Sequence, residues 1–158
     1  METEPMFLEK EDIGRPVFNT GSYSGSRHMD EARTRVLFID DEKDIVRTFT
    51  LFLERQGYVV DSARNGREAM AMLGESIYQV VVLDYRLPDI TGTDMLRRVN
   101  ELQPGAVKVM LTGFASMEKA AESLVHSADS YLIKPVNMNM LLAVIEEKLG
   151  ERAKSNKR

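Results

Sequence analysis

Cysteine is absent from the 158 residues, which excludes disulfides, thiolate metal sites and cysteine nucleophiles. The two histidines, His28 and His126, lie far apart in the sequence, which argues against a histidine-rich zinc site. No apolar run approaches the roughly 20 residues that span a bilayer. The first ten residues are charged and lack the apolar core of a signal peptide. We therefore expect a soluble, cytoplasmic protein without a membrane partner.

An excess of basic residues is also lacking. Lys and Arg total 21 against 25 Asp and Glu, so the net charge of −4 gives no basic footprint, and we expect no direct nucleic-acid binding by this segment. Hydrophobic residues make up 43% and charged residues 29%, as in an ordinary globular protein. The length suffices for one domain with short extensions.

The composition divides the chain into three predicted segments. Residues 1–33 are rich in Gly, Ser, Asn, Thr and charge and predict a flexible arm. Within it, Gly25-Ser26-Arg27-His28-Met29 resembles a cloning junction, which would make part of the arm tag-derived; the alternative is a natural N-terminal arm. Residues 34–150 carry the regular pattern of a globular domain, and residues 151–158 form a basic tail or the start of a linker.

Short apolar runs alternate with amphipathic helical patterns through the globular segment. This alternation predicts an α/β fold with a parallel sheet, right-handed crossovers and helices on both faces. The predicted strands are 36–39, 58–60, 80–83, 107–111 and 130–133, and the last three predicted helices are 93–102, 116–126 and 138–149.

Helix boundaries have their own signals. Gly57 and Gly150 stand where C-terminal caps belong, so we expect the first and last helices to end there. Asn65 with Glu68 three residues later resembles a capping box that opens the second helix.

Polar residues follow the strands at their carboxyl ends. Strand one is followed by Asp40 and Asp41, strand three by Asp84, strand four by Thr112 and strand five by Lys134. In doubly wound sheets these ends converge on one ligand-binding edge. Clustered carboxylates need a cation or protons, and oxygen ligands without histidine or cysteine favour Mg²⁺, with Mn²⁺ as the alternative.

The same residues suit phosphate chemistry. A carboxylate can attack phosphorus to form an acyl phosphate, and Asp84 on the third strand is the best candidate for that nucleophile. Asp40 and Asp41 are better placed as metal ligands. Lys134 and the Thr112 hydroxyl would each donate to a phosphoryl oxygen.

Each of these residues also has a purely structural interpretation. Asp40, Asp41 and Glu42 suit the capping of the following helix as well as they suit metal binding. Asp84 and Thr112 alone would be turn residues, and Lys134 alone a solvated charge. The joint placement at the carboxyl ends of strands is what favours a functional site.

Four motifs resemble the receiver domain of bacterial and archaeal response regulators. The matching stretches, spread from about residue 33 to residue 150, are Val36-Leu37-Phe38-Ile39-Asp40-Asp41-Glu42, Asp84-Tyr85-Arg86-Leu87-Pro88-Asp89-Ile90-Thr91-Gly92, Met110-Leu111-Thr112-Gly113 and Tyr131-Leu132-Ile133-Lys134-Pro135. The resemblance implies a flavodoxin-like doubly wound (βα)5 fold with strand order 2-1-3-4-5.

The resemblance also implies a role for each residue. Asp84 would be the phosphoacceptor. Its phosphoryl group would come from a sensor histidine kinase, a phosphotransfer protein or a small phosphodonor. Asp41 would bind Mg²⁺ directly and Asp40 partly through water, and Asp84 and the backbone carbonyl of Arg86 would be the other two ligands. Lys134 would contact the phosphoryl group, and its bond to the following proline would be cis.

A switch is implied as well. Thr112 would move to the phosphate while Tyr131 turns inward, which couples Asp84 to the face formed by the fourth helix, fifth strand and fifth helix. That face would control an output domain or protein, and a homodimer through it is a further expectation. Such a protein assists its own phosphorylation and dephosphorylation and is not a dedicated turnover enzyme.

The resemblance also implies that Arg86 and Phe114 would flank the phosphoryl site, where both side chains would shield it from water. We predict that replacing Arg86 with Asn and Phe114 with Glu accelerates loss of the phosphoryl group. The measurement is the decay of phosphorylated protein over time, and unchanged decay would contradict the shielding role.

Three other classes of protein match the sequence less well than a receiver does. Haloacid-dehalogenase-like phosphatases place two aspartates two residues apart after the first strand, whereas Asp40 and Asp41 are adjacent. A flavodoxin would carry a Ser/Thr/Gly-rich phosphate loop there rather than an acidic one. A receiver-like scaffold that is never phosphorylated would lack pocket residues, and here all are present.

Overall fold

Five parallel strands form one sheet in the computed structural model, which describes residues 33–113 and 128–157. The strand order is β2-β1-β3-β4-β5, and this confirms the flavodoxin-like, doubly wound fold expected from the sequence. The strands are β1 Arg35–Ile39, β2 Val59–Ala63, β3 Val80–Asp84, β4 Val107–Thr112 and β5 Ser130–Ile133. The described helices are α1 Lys43–Arg55, α2 Gly66–Glu75, α3 Gly92–Leu102 and α4 Met138–Asn156.

Several predictions fall outside the described residues. They concern the N-terminal arm with its junction-like stretch, the predicted fourth helix at 116–126, and the side chains of Phe114 and His126. Helix α4 therefore corresponds to the fifth predicted helix. The fourth predicted helix, 116–126, which would lie beside it on the expected output face, stays a prediction.

Helices cover both faces of the sheet. Side chains of the central strands alternate between the two faces, so each face presents apolar residues to its helices. In β1 and β3, one set packs with α2 and α3 and the other with α1 and α4. The first set is Leu37, Ile39, Val81 and Leu83, and the second is Val36, Phe38, Val80 and Val82. All eight are fully buried, which explains why these strands are continuous apolar runs.

The start of α2 matches the predicted cap in one half only. The Asn65 side chain accepts the Glu68 N–H at 2.8 Å, as expected of an N-cap. The Glu68 carboxylate accepts the Arg64 N–H at 2.8 Å rather than that of the cap residue. Its Oε1 also lies 3.2 Å from the Arg64 guanidinium, and this pairing draws the glutamate one residue upstream.

The predicted end of the last helix at Gly150 is wrong, because α4 continues to Asn156. Gly150 lacks the left-handed φ that a C-terminal glycine cap needs, whereas Gly57 has it after α1. Arg152 supplies the physical reason: its guanidinium donates to the carbonyl oxygens of residues 104–106 and to both carboxylate oxygens of Asp129. None of the described helices, α4 included, is long and apolar enough to cross a membrane.

Replacing Arg152 with Ala is expected to lower the free energy of unfolding by about 1 kcal/mol, since the hydrogen bonds that fix the end of α4 are lost. Amide hydrogen exchange should accelerate most in residues 152–156. Lys154→Ala, which removes an exposed basic residue of the same helix, is the matched control. Equal exchange in the two variants would show that Arg152 does not hold the helix end.

Candidate functional site

The predicted site residues lie at one edge of the sheet, at the carboxyl ends of β1, β3, β4 and β5. Asp40 directly follows β1, and Asp84 is the last residue of β3. Thr112 is the last residue of β4, and Lys134 follows β5. Because β3 lies between β1 and β4, its terminal Asp84 is at the centre of this edge.

Three carboxylates meet there. One oxygen each from Asp40, Asp41 and Asp84 lies within 4.8 Å of the others. Asp40 is fully buried, Asp84 is 6% exposed and Asp41 is exposed, so the cluster opens to solvent on one side. An all-oxygen donor set with an open side suits Mg²⁺, which keeps several waters and binds one or two carboxylates in proteins. The residues present therefore fit the expected metal.

The Lys134 ammonium lies between the two buried carboxylates. Its Nζ is 3.1 Å from Asp40 Oδ2 and 3.1 Å from Asp84 Oδ2. Burial lowers the pKa of Lys134, but the hydrogen bonds to Asp84 and Asp40 outweigh it, and the net pKa is raised. The lysine therefore stays charged and offers a fixed positive charge at the cluster. The peptide bond that follows it is cis, as the resemblance implied.

Asp40 combines the two interpretations that the sequence left open. Its Oδ1 accepts the Glu42 N–H at 2.9 Å, a bond typical of a helix start. Its Oδ2 faces Lys134. Burial is the main cause that raises the pKa of Asp40, and the nearby Asp84 charge adds to it, while the Glu42 N–H and Lys134 act in the opposite direction. The raised pKa therefore reflects mainly the cost of burying the Asp40 charge, which its hydrogen-bond partners do not fully offset.

The remaining predicted residues occupy nearby positions but do not all contact the cluster. The Arg86 N–H donates to Asp84 Oδ1 at 3.3 Å. Thr112 is fully buried, and its hydroxyl lies 3.2 Å from the carbonyl oxygen of the next residue. Tyr131 is half-buried and packs against the core on the α2 and α3 side, and burial raises its pKa. The predicted switch movement of Thr112 and Tyr131 stays a prediction.

Glu42 also belongs to the site, although the sequence predicted for it a capping role or a metal-binding role and no contact with Lys134. It is the N-cap residue, but its side chain makes no capping hydrogen bond. Instead its Oε1 lies 3.4 Å from the Lys134 Nζ, so this lysine contacts three carboxylates. A third consecutive acid after a buried strand was the available signal. The sequence did not reveal which of the three consecutive acids contact Lys134, because their directions depend on the geometry of the first turn of α1.

The parallel five-stranded sheet with an acidic cluster and a lysine at its carboxyl edge is the arrangement expected of a receiver domain, and comparisons with known proteins agree. The family model described as "Response regulator receiver domain" matches residues 36–146. The chain belongs to the response regulator receiver domain family. It is 30% identical over 123 residues to the response regulator SaeR of Staphylococcus epidermidis, covering 78% of this chain and 53% of that protein. The chain spans about half or less of the length of the curated relatives it matches.

Two solved structures are similar in fold. A CheY-like receiver domain from Methanospirillum hungatei JF-1 is 38% identical with a TM-score of 0.74, covering 78% of this chain and 99% of that one. A response regulator from Burkholderia pseudomallei is 33% identical with a TM-score of 0.66, covering 78% of this chain and 75% of that one. The latter is described as containing a phosphorylated aspartic acid, a calcium ion and citrate.

Proposed function

We propose that this chain is the phosphoacceptor domain of a two-component phosphorelay and that Asp84 carries the phosphoryl group. The observation that carries this proposal is the Lys134 ammonium, 3.1 Å from both Asp84 and Asp40, beside a three-carboxylate cluster. A nucleophilic carboxylate, a fixed cation and a metal-compatible acid set are the elements that phosphoryl transfer requires. The phosphorylated aspartic acid of the Burkholderia relative supports the assignment.

In the proposed reaction, an Asp84 carboxylate oxygen forms a bond to phosphorus as the bond from phosphorus to the donor breaks. The donor leaves with the bonding electron pair, and Asp84 becomes an acyl phosphate. With acetyl phosphate the leaving group is acetate, and with a phosphohistidine it is the imidazole. Lys134 already contacts the Asp84 carboxylate, and there it would stabilise charge on a phosphoryl oxygen.

Asp40, Asp41, Asp84 and the backbone carbonyl of Arg86 would hold Mg²⁺, or Mn²⁺ in its place. When bound, the ion would neutralise part of the negative charge of the carboxylates and the phosphoryl oxygens. The calcium ion named for the Burkholderia relative is consistent with a divalent-cation site. Asp40 would keep its backbone hydrogen bond and so orient its other oxygen towards Lys134 and the ion.

The output of the proposed switch is a change of surface. The Thr112 hydroxyl would move to the phosphoryl group and Tyr131 would turn inward, which alters the face containing β5 and α4. That face would act on an output domain or protein and is the proposed route to homodimers. The cognate partner upstream would be a sensor histidine kinase or phosphotransfer protein in the cytoplasm, and the chain would be a signalling domain rather than a turnover enzyme.

We assign the receiver to residues 34–150, preceded by an arm and followed by residues 151–158 as a tail or linker start. Helix α4 would then run without interruption from the receiver into that last segment.

Incubation with acetyl phosphate, followed by intact mass spectrometry, tests the proposal. One added phosphoryl group per chain is expected with Mg²⁺, and little or none when EDTA replaces the metal. Asp41→Asn should require more Mg²⁺ to reach the same adduct yield, because a metal ligand is weakened. An unmodified parent chain in Mg²⁺ would instead favour the scaffold that is never phosphorylated.

A further inference from the structure

The loop between β3 and α3, residues 85–91, is closed at its base. The Gly92 N–H donates to the Tyr85 carbonyl oxygen at 2.7 Å, and Arg86 and Thr91 form an antiparallel bridge. A Cβ on Gly92 would lie 2.6 Å from Tyr85 Cα, so the close approach of the two backbones requires glycine. The loop is thus a tight hairpin, with Arg86 at its base on the side of the acidic cluster.

The tip of this loop contacts the N-terminus of α2. Asp89 Oδ1 accepts the Gly66 N–H at 2.8 Å, and Oδ2 accepts the Arg67 N–H at 3.0 Å. These are two of the first amides of α2, which have no partner within their own helix. The hydrogen bond from Gly66 is the main cause that lowers the pKa of Asp89, with a smaller contribution from Arg67. The carboxylate therefore caps a helix more than 20 residues away in sequence.

A second contact holds the same tip. Ile90 packs over Gly66, where an added Cβ would collide with the Ile90 side chain. Ile90 also packs against the buried cluster formed by the sheet with α2 and α3. One polar and one apolar contact, made by adjacent residues, thus fix the loop tip on the first turn of α2.

We propose that Asp89 is a positioning residue for the metal site: by fixing the loop tip on α2, it holds the Arg86 backbone where its carbonyl can bind the ion. The proposal rests on the proposed function, because it assumes the Asp40–Asp41–Asp84 metal site. Arg86 is three residues before Asp89, and its N–H already contacts Asp84. Thermodynamic linkage makes the effect reciprocal, so metal binding also protects the Gly66 and Arg67 amides.

Titration of Mg²⁺ into the ¹⁵N-labelled chain, followed by amide chemical shifts, measures the metal dissociation constant directly. Asp89→Ala is expected to raise this constant about tenfold, as is typical when a group that orients metal ligands is lost. Asp89→Asn keeps one acceptor oxygen and should give an intermediate value. In the parent, Mg²⁺ should slow hydrogen exchange at Gly66 and Arg67, and in Asp89→Ala this protection should disappear.

Two control variants separate positioning from simpler effects. Asn65→Ala removes the other cap of α2, so it matches the loss of helix stability without touching the loop. Asp94→Ala removes an exposed negative charge from the first turn of α3, so it matches the loss of charge. Both should bind Mg²⁺ like the parent.

The outcomes distinguish the two levels of proposal. A parent-like dissociation constant in Asp89→Ala, or an equal weakening in Asn65→Ala or Asp94→Ala, would overturn the positioning role and leave the proposed function standing. A parent chain whose Asp40, Asp41 and Asp84 amides do not respond to Mg²⁺ would overturn the metal site and the positioning role together.

Discussion

Replacing Asp84 with Asn is expected to abolish formation of the phosphoryl adduct with acetyl phosphate and Mg²⁺. The amide oxygen of asparagine is a far weaker nucleophile than a carboxylate oxygen, while the amide has nearly the same size as the carboxylate that lies 3.1 Å from Lys134 in the parent. The loss should therefore be complete and not a slowing of a few fold. Intact mass spectrometry of the variant and the parent, treated side by side, measures it.

Asp94→Asn is the matched control for this experiment. Asp94 is an exposed acid that pairs with Arg97 on α3, outside the acidic cluster. It should accept the phosphoryl group at the parent rate, which shows that removing one negative charge has no general effect. An adduct of parent yield in Asp84→Asn would mean that another residue is the acceptor.

Replacing Lys134 with Ala is expected to lower the metal-free free energy of unfolding by about 3 kcal/mol, because two buried carboxylates lose their shared cation. Mg²⁺ should restore part of this loss, since it binds the folded state and compensates the same charges. Urea unfolding in EDTA and again in Mg²⁺ measures both effects. The rate of phosphorylation should also fall about 100-fold, as when one preorganised donor to a developing charge is removed.

Lys134→Arg keeps the positive charge and is the conservative comparison. It should recover most of the metal-free stability but less of the rate, because the planar guanidinium does not reproduce a point charge at Nζ. Equal urea midpoints for the parent and Lys134→Ala in EDTA would show that Lys134 does not stabilise the buried Asp40 and Asp84 carboxylates.

The sequence predicts the position of the acidic cluster well, for a physical reason. Strands buried on both faces are continuous apolar runs, so the first polar residue after each run marks a strand end. Asp40, Asp84, Thr112 and Lys134 could be assigned to one edge in this way, and the structure places them there. The resemblance added the strand order, which periodicity alone does not specify.

Contacts between distant segments were harder to predict. Gly150 is a residue type that commonly ends helices. Arg152, however, donates to the Gly105 carbonyl oxygen and to Asp129 in distant segments, and these contacts keep α4 helical beyond Gly150. Glu42 and Asp89 are both acids near helix starts, a position at which an acid commonly caps its own helix. Their partners, Lys134 and the first amides of α2, lie 92 and 23 residues away and follow only from the packed fold.

The most direct test of the central claim is to locate the phosphoryl group by chemistry. Borohydride reduces an aspartyl phosphate to homoserine, which survives proteolysis and can be assigned by peptide sequencing in the mass spectrometer. After treatment with acetyl phosphate and Mg²⁺, the proposed function predicts homoserine at position 84 and nowhere else in the acidic cluster. Homoserine at position 40 or 41 with an unchanged Asp84, or no homoserine in a chain that carries the added mass, would contradict it.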